Sequence, residues 1–232
     1  MSGDDGRSGE PPRRVLLATR NAKKLVELRR IVDAAGLGGV EIVGLADVPE
    51  FPEAPETGAT FAENALAKAR DAAAATGLPA IADDSGITVD ALNGMPGIFS
   101  ARWAGRHGDD EANLWLLLGQ TADVPDERRG AAFVCAAALV TPAGAAGPGA
   151  APDAACASLG EAPGRTVVHG TWRGTLLREP SGENGFGYDP IFRPEGESRS
   201  SAGLSAEEKD AASHRGRALR ALVPHLQAFT PR

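Results

Sequence analysis

Apolar and polar residues follow one another along this chain with two different periods, and each change of period predicts a strand or a helix. Residues 14–18 predict a short buried strand, and the polar cluster 19–21 ends it. A helix is then predicted from Lys23 to Ala35, with Gly36 as its C-cap. Its apolar face combines Leu25, Leu28, Ile31 and Val32.

Further along, residues 41–45 predict a second strand and 47–58 a loop. Thr60 to Glu63 has the form of a capping box, which opens an Ala-rich helix to about Ala75. For residues 79–92, PAIADDSGITVDAL, we expect a strand, an acidic turn and another strand. A helix is predicted from Asp109 to Gln120, with its buried positions at Leu114, Trp115, Leu117 and Leu118.

The last part of the chain predicts more strands and a helical end. Residues 131–140 read as a central strand, and a strand pair is expected near 166–178. Between them, the Ala/Gly/Pro-rich segment 143–158 predicts a surface insert. A second capping box, at residues 205–208, opens a helical region that Pro224 is expected to kink or split. The alternation indicates a single α/β domain with a mixed sheet over 13–232, after a disordered tail at 1–12.

Composition narrows the choice of partners. The chain has 232 residues and a net charge of −7, which disfavours nucleic acid because that binding depends on neutralised phosphates. A small anionic substrate remains open. No apolar run approaches the roughly 18 residues of a membrane span, so no membrane partner is expected. Two cysteines without a CxxC pattern favour a reducing cytoplasm, with Cys135 as a buried core thiol.

The turn between the first strand and helix is a candidate phosphate cradle. A helix N-terminus offers backbone N–H groups and the positive end of the helix dipole to an anion. The motif is not a Walker A loop, and ordinary helix capping by Thr19 or Asn21 is the alternative. The candidate binding residues are Thr19, Arg20, Asn21, Ala22, Lys23 and Lys24.

An acidic motif, Asp83-Asp84-Ser85-Gly86, is the candidate metal and catalytic site. Two crowded carboxylates repel each other unless a cation lies between them, and hard oxygen ligands suit Mg²⁺. Gly86 is expected to let the backbone turn sharply, and Glu56 is a candidate second ligand. An ordinary acidic turn is the alternative.

Three further polar segments each carry two interpretations. For the helix after Thr60, spacing favours a solvated polar face, made of Glu63, Asn64, Lys68 and Arg70. In the loop 183–190, Phe186 is either a platform for base stacking or a core aromatic of a Gly-rich hairpin. At 213–216, His214 and Arg215 either donate to a keto oxygen or belong to a capped helix start with surface charges.

Together, five segments in order resemble the inosine triphosphate pyrophosphatase family. They are LLATRNAKKLVEL, PETGATFAENALAKAR, GLPAIADDSGITVDALNGMPGIFSARWAG, EPSGENGFGYDPIF and AEEKDAASHRGRAL. The resemblance implies a mixed α/β fold of two lobes with a central substrate cleft, and a homodimer. It also implies Mg²⁺-dependent hydrolysis of non-standard purine triphosphates (ITP, dITP, XTP, dXTP) to the monophosphate and pyrophosphate.

The resemblance also assigns roles to residues. Glu56 and Asp84 are the implied magnesium ligands, Asp84 is the implied proton acceptor, and Asp83 supports the site. Thr19, Asn21 and Lys24 are implied to hold the phosphates, and Lys68 adds a charge to the phosphate tail. Substrate contacts are implied for Ser85, Phe186, Gly187, Tyr188, Asp189, Lys209, His214 and Arg215.

Arg20 departs from the pattern, because many relatives have glycine there. Two rival functions stay open at this point. One is a related house-cleaning pyrophosphatase that acts on other modified nucleotides, against which the SHRG and FGYD segments argue. The other is a non-catalytic nucleotide sensor, which would not need the acids Glu56 and Asp84.

Overall fold

A computed structural model describes residues 12–52, 55–142 and 164–229. The predicted insert at 143–158 and all but Pro12 of the predicted tail lie outside these ranges. The strands are β1 Arg13–Leu17, β2 Val40–Val43, β3 Ala80–Val89, β4 Gly130–Val140, β5 Arg165–Leu176 and β6 Phe192–Pro194. The α-helices are α1 Ala22–Ala34, α2 Phe61–Thr76, α3 Asp110–Gln120, α4 Ala206–Ala212 and α5 His214–Gln227.

The strands form one mixed sheet in the order β2-β1-β3-β4-β5-β6, which confirms the predicted fold class. β1 is parallel to β2 and β3, and the other neighbours are antiparallel. The β1–β3 ladder is short, with Leu16 opposite Ala80 and Leu17 opposite Ile81. β3 then continues to Val89 past the carboxyl end of β1, which is where ligands bind in open α/β sheets.

The predicted acidic turn is wrong, because residues 80–89 form a single strand that pairs with β4 at every position. Asp83 and Asp84 therefore lie within regular strand, opposite Ala137 and Ala136. Gly86 does not turn the chain either. A Cβ at Gly86 would overlap the Ser100 hydroxyl, which accepts a hydrogen bond from the Ile87 amide at 2.9 Å. Close approach, not flexibility, requires this glycine.

Alternation along β3 determines what each face of the sheet buries. Even-numbered residues such as Ala82 pack in one core cluster with the alanines of α2. On the other face, Ile81 packs with α1 and α5, whereas Ile87 packs with α3 and the β5–β6 region. Asp83 and Ser85 lie between these two clusters. The apolar packing on this face is thus interrupted at Asp83 and Ser85, which leaves two separate hydrophobic clusters.

Several local predictions need correction. Trp115 on α3 is 54% exposed, not buried, and the expected strand pair near 166–178 is the single strand β5. The C-terminal helical region divides at Ser213, whose hydroxyl caps α5, and α5 runs through Pro224 to Gln227. Glu63 accepts a hydrogen bond from the Ala59 amide instead of closing the box on Thr60.

Thr60 caps α2 as predicted, with its hydroxyl accepting from the Glu63 amide. The capping box at Ser205 and Glu208 is also present. Within the described ranges, no helix has the length and apolar character that a membrane span requires.

Candidate active site

Asp83 lies on the face of the sheet that α1 and α5 cover. It is 6% exposed, and the Lys24 ammonium donates to both of its oxygens at 2.9 and 2.7 Å. The Arg215 Nε lies 3.6 Å from Asp83 Oδ2. Burial acts to raise the pKa of Asp83, but the charges of Lys24 and Arg215 outweigh burial and lower that pKa to about 2. Asp83 is therefore charged at neutral pH, and it joins α1 to α5 through Lys24 and Arg215.

Asp84 points to the opposite face and has different neighbours. The Asn64 amide donates to Asp84 Oδ2 at 3.0 Å, and the Lys68 ammonium lies 3.3 Å from Oδ1. Lys68 also forms an ion pair with Glu56. Burial raises the pKa of the Asp84 carboxyl, and Lys68 and Asn64 offset this effect only in part. A carboxylate with a raised pKa, held beside a cation, has the properties of a proton acceptor.

Glu56 completes this side of the site from the loop before α2. Burial acts to raise its pKa, but hydrogen bonds and charges from Lys68 and Arg102 outweigh burial and hold that pKa below its ordinary value. Arg102 Nη1 lies 3.3 Å from Glu56 Oε2. The guanidinium of Arg102 also stacks over Phe99, 5.2 Å from the ring centre.

The solvated face that spacing favoured on α2 is only partly there. Asn64 is 2% exposed and Lys68 is half-buried, and both face Asp84, because the N-terminal half of α2 packs across β3. Glu63 and Arg70 do remain on the exposed side. Spacing shows which residues share a helix face, but it does not show whether water or a sheet covers that face.

The donor set fits a divalent metal ion. Glu56 and Asp84 supply hard carboxylate oxygens, and both already contact one cation, the Lys68 ammonium. Among residues 12–52, 55–142 and 164–229, no group of three or more His, Cys, Asp or Glu side chains could hold a metal ion. A metal at this pair would draw its other ligands from water and a phosphate, as Mg²⁺ commonly does.

The candidate phosphate cradle lies at the N-terminus of α1, next to Asp83. Asn21 caps the helix by accepting from the Lys23 amide at 3.0 Å, and Thr19 accepts from the Asn21 amide at 3.2 Å. Helix capping, the alternative interpretation, is therefore present. Arg20, Ala22 and Lys23 are exposed at the mouth of the site, whereas Lys24 turns inward to Asp83.

The loop after β5 presents Phe186 to solvent at 56% exposure. Buried Asp189 holds this loop, because its Oδ2 accepts from the Phe186 amide at 2.9 Å and pairs with Lys209. The Lys209 ammonium lies 5.5 Å from the Phe186 ring centre. Gly187 donates to Asp110 at 3.0 Å.

The two aromatics of this loop have different surroundings. Tyr188 is 5% exposed and donates its hydroxyl to the Ser100 carbonyl, so Tyr188 is a core residue. Phe186 is the exposed platform that base stacking would need.

The start of α5 brings His214 and Arg215 toward Asp83. The His214 ring stacks on Phe133 with centroids 5.0 Å apart, and burial lowers the pKa of His214 well below its ordinary value. His214 is therefore neutral at pH 7. The α5 backbone lies directly on β5 at Gly170, where a Cβ would overlap the His214 carbonyl oxygen.

Sequence reasoning missed four contributors to this site. Spacing predicts a solvated face for Asn64, and no sequence motif assigns a role to Arg102, Gly170 or Ser100. Arg102 and Ser100 lie in the GIFSAR segment at 97–102, which forms a 3₁₀ helix against β3. The cluster of glycine, serine and arginine in that segment was the available signal.

Comparison with known proteins shows the family of this chain. The model of the Ham1 family matches residues 15–225. The chain belongs to the Ham1 family. A dITP/XTP pyrophosphatase from Nocardia farcinica is 63% identical over 219 residues, which cover 94% of this chain and 97% of the relative.

Two solved structures of the Ham1 family agree with this fold. The crystal structure of the nucleoside-triphosphatase, dITP/XTP pyrophosphatase, from Mycobacterium abscessus is 56% identical, with a TM-score of 0.72, and covers 92% of this chain and 99% of its own. A HAM1 protein from Coxiella burnetii is 38% identical, with a TM-score of 0.77, and covers 92% and 98%. The predicted resemblance and mixed α/β architecture are thereby confirmed.

Proposed function

We propose that this protein hydrolyses non-standard purine nucleoside triphosphates, ITP, dITP, XTP and dXTP, to the monophosphate and pyrophosphate. The observation that carries the proposal is the convergence of Asp84 and Glu56 on the Lys68 ammonium, at the strand position next to Asp83, which Lys24 of α1 contacts. The dITP/XTP pyrophosphatases to which the chain is 56–63% identical support the reaction and the substrate class.

In the proposed reaction, a water attacks the α-phosphorus and the bond from that phosphorus to the α–β bridging oxygen breaks. Asp84 takes the proton of the water, and pyrophosphate leaves. The N-terminus of α1, with Thr19, Asn21 and Lys23, holds the phosphate tail. Lys68 stabilises the negative charge that develops on the leaving group. Asp83 keeps Lys24 and Arg215 in place around the nucleotide.

We further propose Mg²⁺ as the cofactor, held by Glu56 and Asp84. When bound, such an ion screens phosphate charge and polarises phosphoryl oxygens. Pyrophosphate release from dITP should stop in EDTA and return when Mg²⁺ is added in excess. Full activity in EDTA would contradict the metal assignment.

Base selection is assigned to the region where Phe186, Lys209, His214 and Arg215 lie. Hypoxanthine and xanthine carry a keto oxygen at position 6, whereas adenine carries an amino group. The Arg215 guanidinium has only donors, so it matches the keto group and opposes the amino group. Phe186 supplies the exposed face on which the base would stack.

A substrate panel tests the proposed function. Pyrophosphate release should be fastest with dITP, ITP and XTP and much slower with the ordinary triphosphates dATP, dCTP and dTTP. Preference for a modified pyrimidine or a methylated guanine nucleotide would favour the related house-cleaning enzyme. Tight binding of dITP without any turnover would favour the sensor.

The proposed assembly is a homodimer in the cytoplasm. Resemblance to the inosine triphosphate pyrophosphatase family supports the dimer, and two cysteines without a CxxC pattern support a reducing compartment. Light scattering should give twice the chain mass of 23.8 kDa. A mass of one chain at assay concentration would refute the dimer.

A further inference from the structure

The two carboxylates that we assign to the metal share one arrangement. On Asp84, Oδ2 accepts from the Asn64 amide, whereas Oδ1 faces the Lys68 ammonium. On Glu56, Oε2 accepts from Arg102, whereas Oε1 faces the same ammonium. Each carboxylate therefore has one oxygen held from outside and one oxygen directed at a shared point.

Asn64 also ties the two carboxylates to each other. Its side-chain oxygen accepts from the Gly58 amide at 2.8 Å, two residues after Glu56, while its NH₂ group donates to Asp84. The turn at Gly58 lies so close that a Cβ there would be 2.6 Å from Asn64 Oδ1. One buried amide thus fixes the Glu56 turn relative to β3.

Arg102 fixes Glu56 from the opposite direction. Its side chain is 29% exposed and is held over Phe99, so the guanidinium approaches Glu56 from a fixed base on the 97–102 segment. A glutamate side chain in a loop without such a contact would lose rotamer freedom when it binds a metal ion, and this loss would lower the affinity for the metal.

We propose that Arg102 and Asn64 are positioning residues that direct one oxygen each of Glu56 and Asp84 to a single cation position, which the Lys68 ammonium fills in the metal-free protein. This inference rests on the proposed function, because it takes Glu56 and Asp84 as the metal ligands. A divalent ion then binds by displacing Lys68 from the two oxygens, and the displaced ammonium becomes free to contact phosphate.

The inference predicts opposite changes in metal affinity when Lys68 and Arg102 are replaced. Lys68 competes with the metal, so Lys68→Met should tighten the binding of a metal ion by about tenfold, the effect of removing one charge-assisted contact. Arg102 positions a ligand, so Arg102→Met should weaken metal binding by a similar factor, and Arg102→Lys should recover part of it. Charge alone predicts the reverse for Arg102, because removing any cation raises the negative charge at the site.

The experiment measures binding of Mn²⁺ alone, without nucleotide, by electron paramagnetic resonance on the full chain. Circular dichroism first shows that each variant is folded. Arg102→Met should have no further effect in a Glu56→Gln background and should keep its effect in an Asp84→Asn background. Asn64→Leu should keep part of its effect in either background, because Asn64 contacts Asp84 directly and holds the Glu56 turn through Gly58. If Arg102 had a merely structural role, Arg102→Met would weaken binding in both backgrounds.

Two failures can be told apart. If neither Glu56→Gln nor Asp84→Asn weakens Mn²⁺ binding, the metal assignment in the proposed function is wrong. If both weaken it but Arg102→Met binds Mn²⁺ as tightly as the wild type or more tightly, the positioning inference is overturned and the metal assignment stands. Asn64 also holds Gly58, so Asn64→Leu could prevent folding. In that case the effects of Arg102→Met in the Glu56→Gln and Asp84→Asn backgrounds test the inference by themselves.

Discussion

Asp83 and Asp84 are neighbours in the chain, yet the two faces of β3 give them opposite environments. Asp83 lies against Lys24 and Arg215, and the pKa of its carboxyl falls to about 2. Asp84 lies against Asn64 and Lys68, and burial leaves the pKa of its carboxyl raised. The difference shows how one strand gives two adjacent carboxylates opposite pKa shifts, and only Asp84 has the raised pKa that the proposed proton acceptor needs.

The variant Asp84→Asn is the strongest test of the difference between Asp83 and Asp84. This change keeps the shape of the side chain but removes the proposed proton acceptor and one proposed metal ligand, so turnover of dITP should fall by about a hundredfold to ten-thousandfold. The melting temperature should stay equal or rise, because a desolvated carboxylate is lost. Initial rates of pyrophosphate release and thermal melts measure the two effects.

The matched control is Asp123→Asn, which changes an exposed acid away from the site. Near-normal turnover in a folded Asp84 variant would move the catalytic role elsewhere.

Asp83→Asn should instead act mainly on stability. It leaves the Lys24 and Arg215 charges half-buried without their carboxylate, which should lower the free energy of unfolding by about 3 to 5 kcal/mol. Urea denaturation at pH 7 measures this loss. A loss no larger than that of Asp84→Asn would remove the distinction between the two carboxylates.

The pH dependence of stability and of activity gives a further test of the difference between Asp83 and Asp84. The folded-state pKa of Asp83 lies below its ordinary value of 3.8, so the stability it contributes is present above 3.8 and is lost as pH falls through about 2. The gap in unfolding free energy between the wild type and Asp83→Asn should therefore close between those two values. For Asp84 the raised pKa should place the acid limb of kcat/KM above that of an ordinary aspartate. A stability gap that is independent of pH from 5 to 2, roughly the range over which an aspartate titrates, would contradict the first expectation.

Arg215→Ala is expected to have the smallest effect. It removes donors near the base while Asp84 and Lys68 stay in place, so kcat with ITP should change little. Discrimination between ITP and ATP, measured as the ratio of their kcat/KM values, should fall by about tenfold, the value of one hydrogen bond to a charged group. Asp83→Asn removes the carboxylate that holds the Arg215 guanidinium. That variant should therefore show part of the same loss of discrimination. Equal losses of rate with both nucleotides would place Arg215 in the chemistry instead.

Local pattern by itself determined most of the secondary structure. The apolar runs at 14–18 and 131–140 became β1 and β4, because a short apolar run bounded by turn residues favours a covered strand. Thr60 and Ser205 were readable as helix starts, since capping depends on residues three positions apart. The motifs in their order were also enough to predict the family, which the comparisons confirmed.

Only the tertiary structure decided how the site is built. The sequence shows two adjacent acids but does not show that β4 pairs alongside and keeps them in one strand, so an acidic turn was expected where the sheet separates the two carboxylates. It shows Asn64 and Lys68 on one helix face but does not show that this face meets β3. Arg102 reaches Glu56 across 46 positions of chain, and no local pattern records such a contact. Periodicity carries information over a few residues, whereas the partners of a buried charge are set by packing between elements that are distant in sequence.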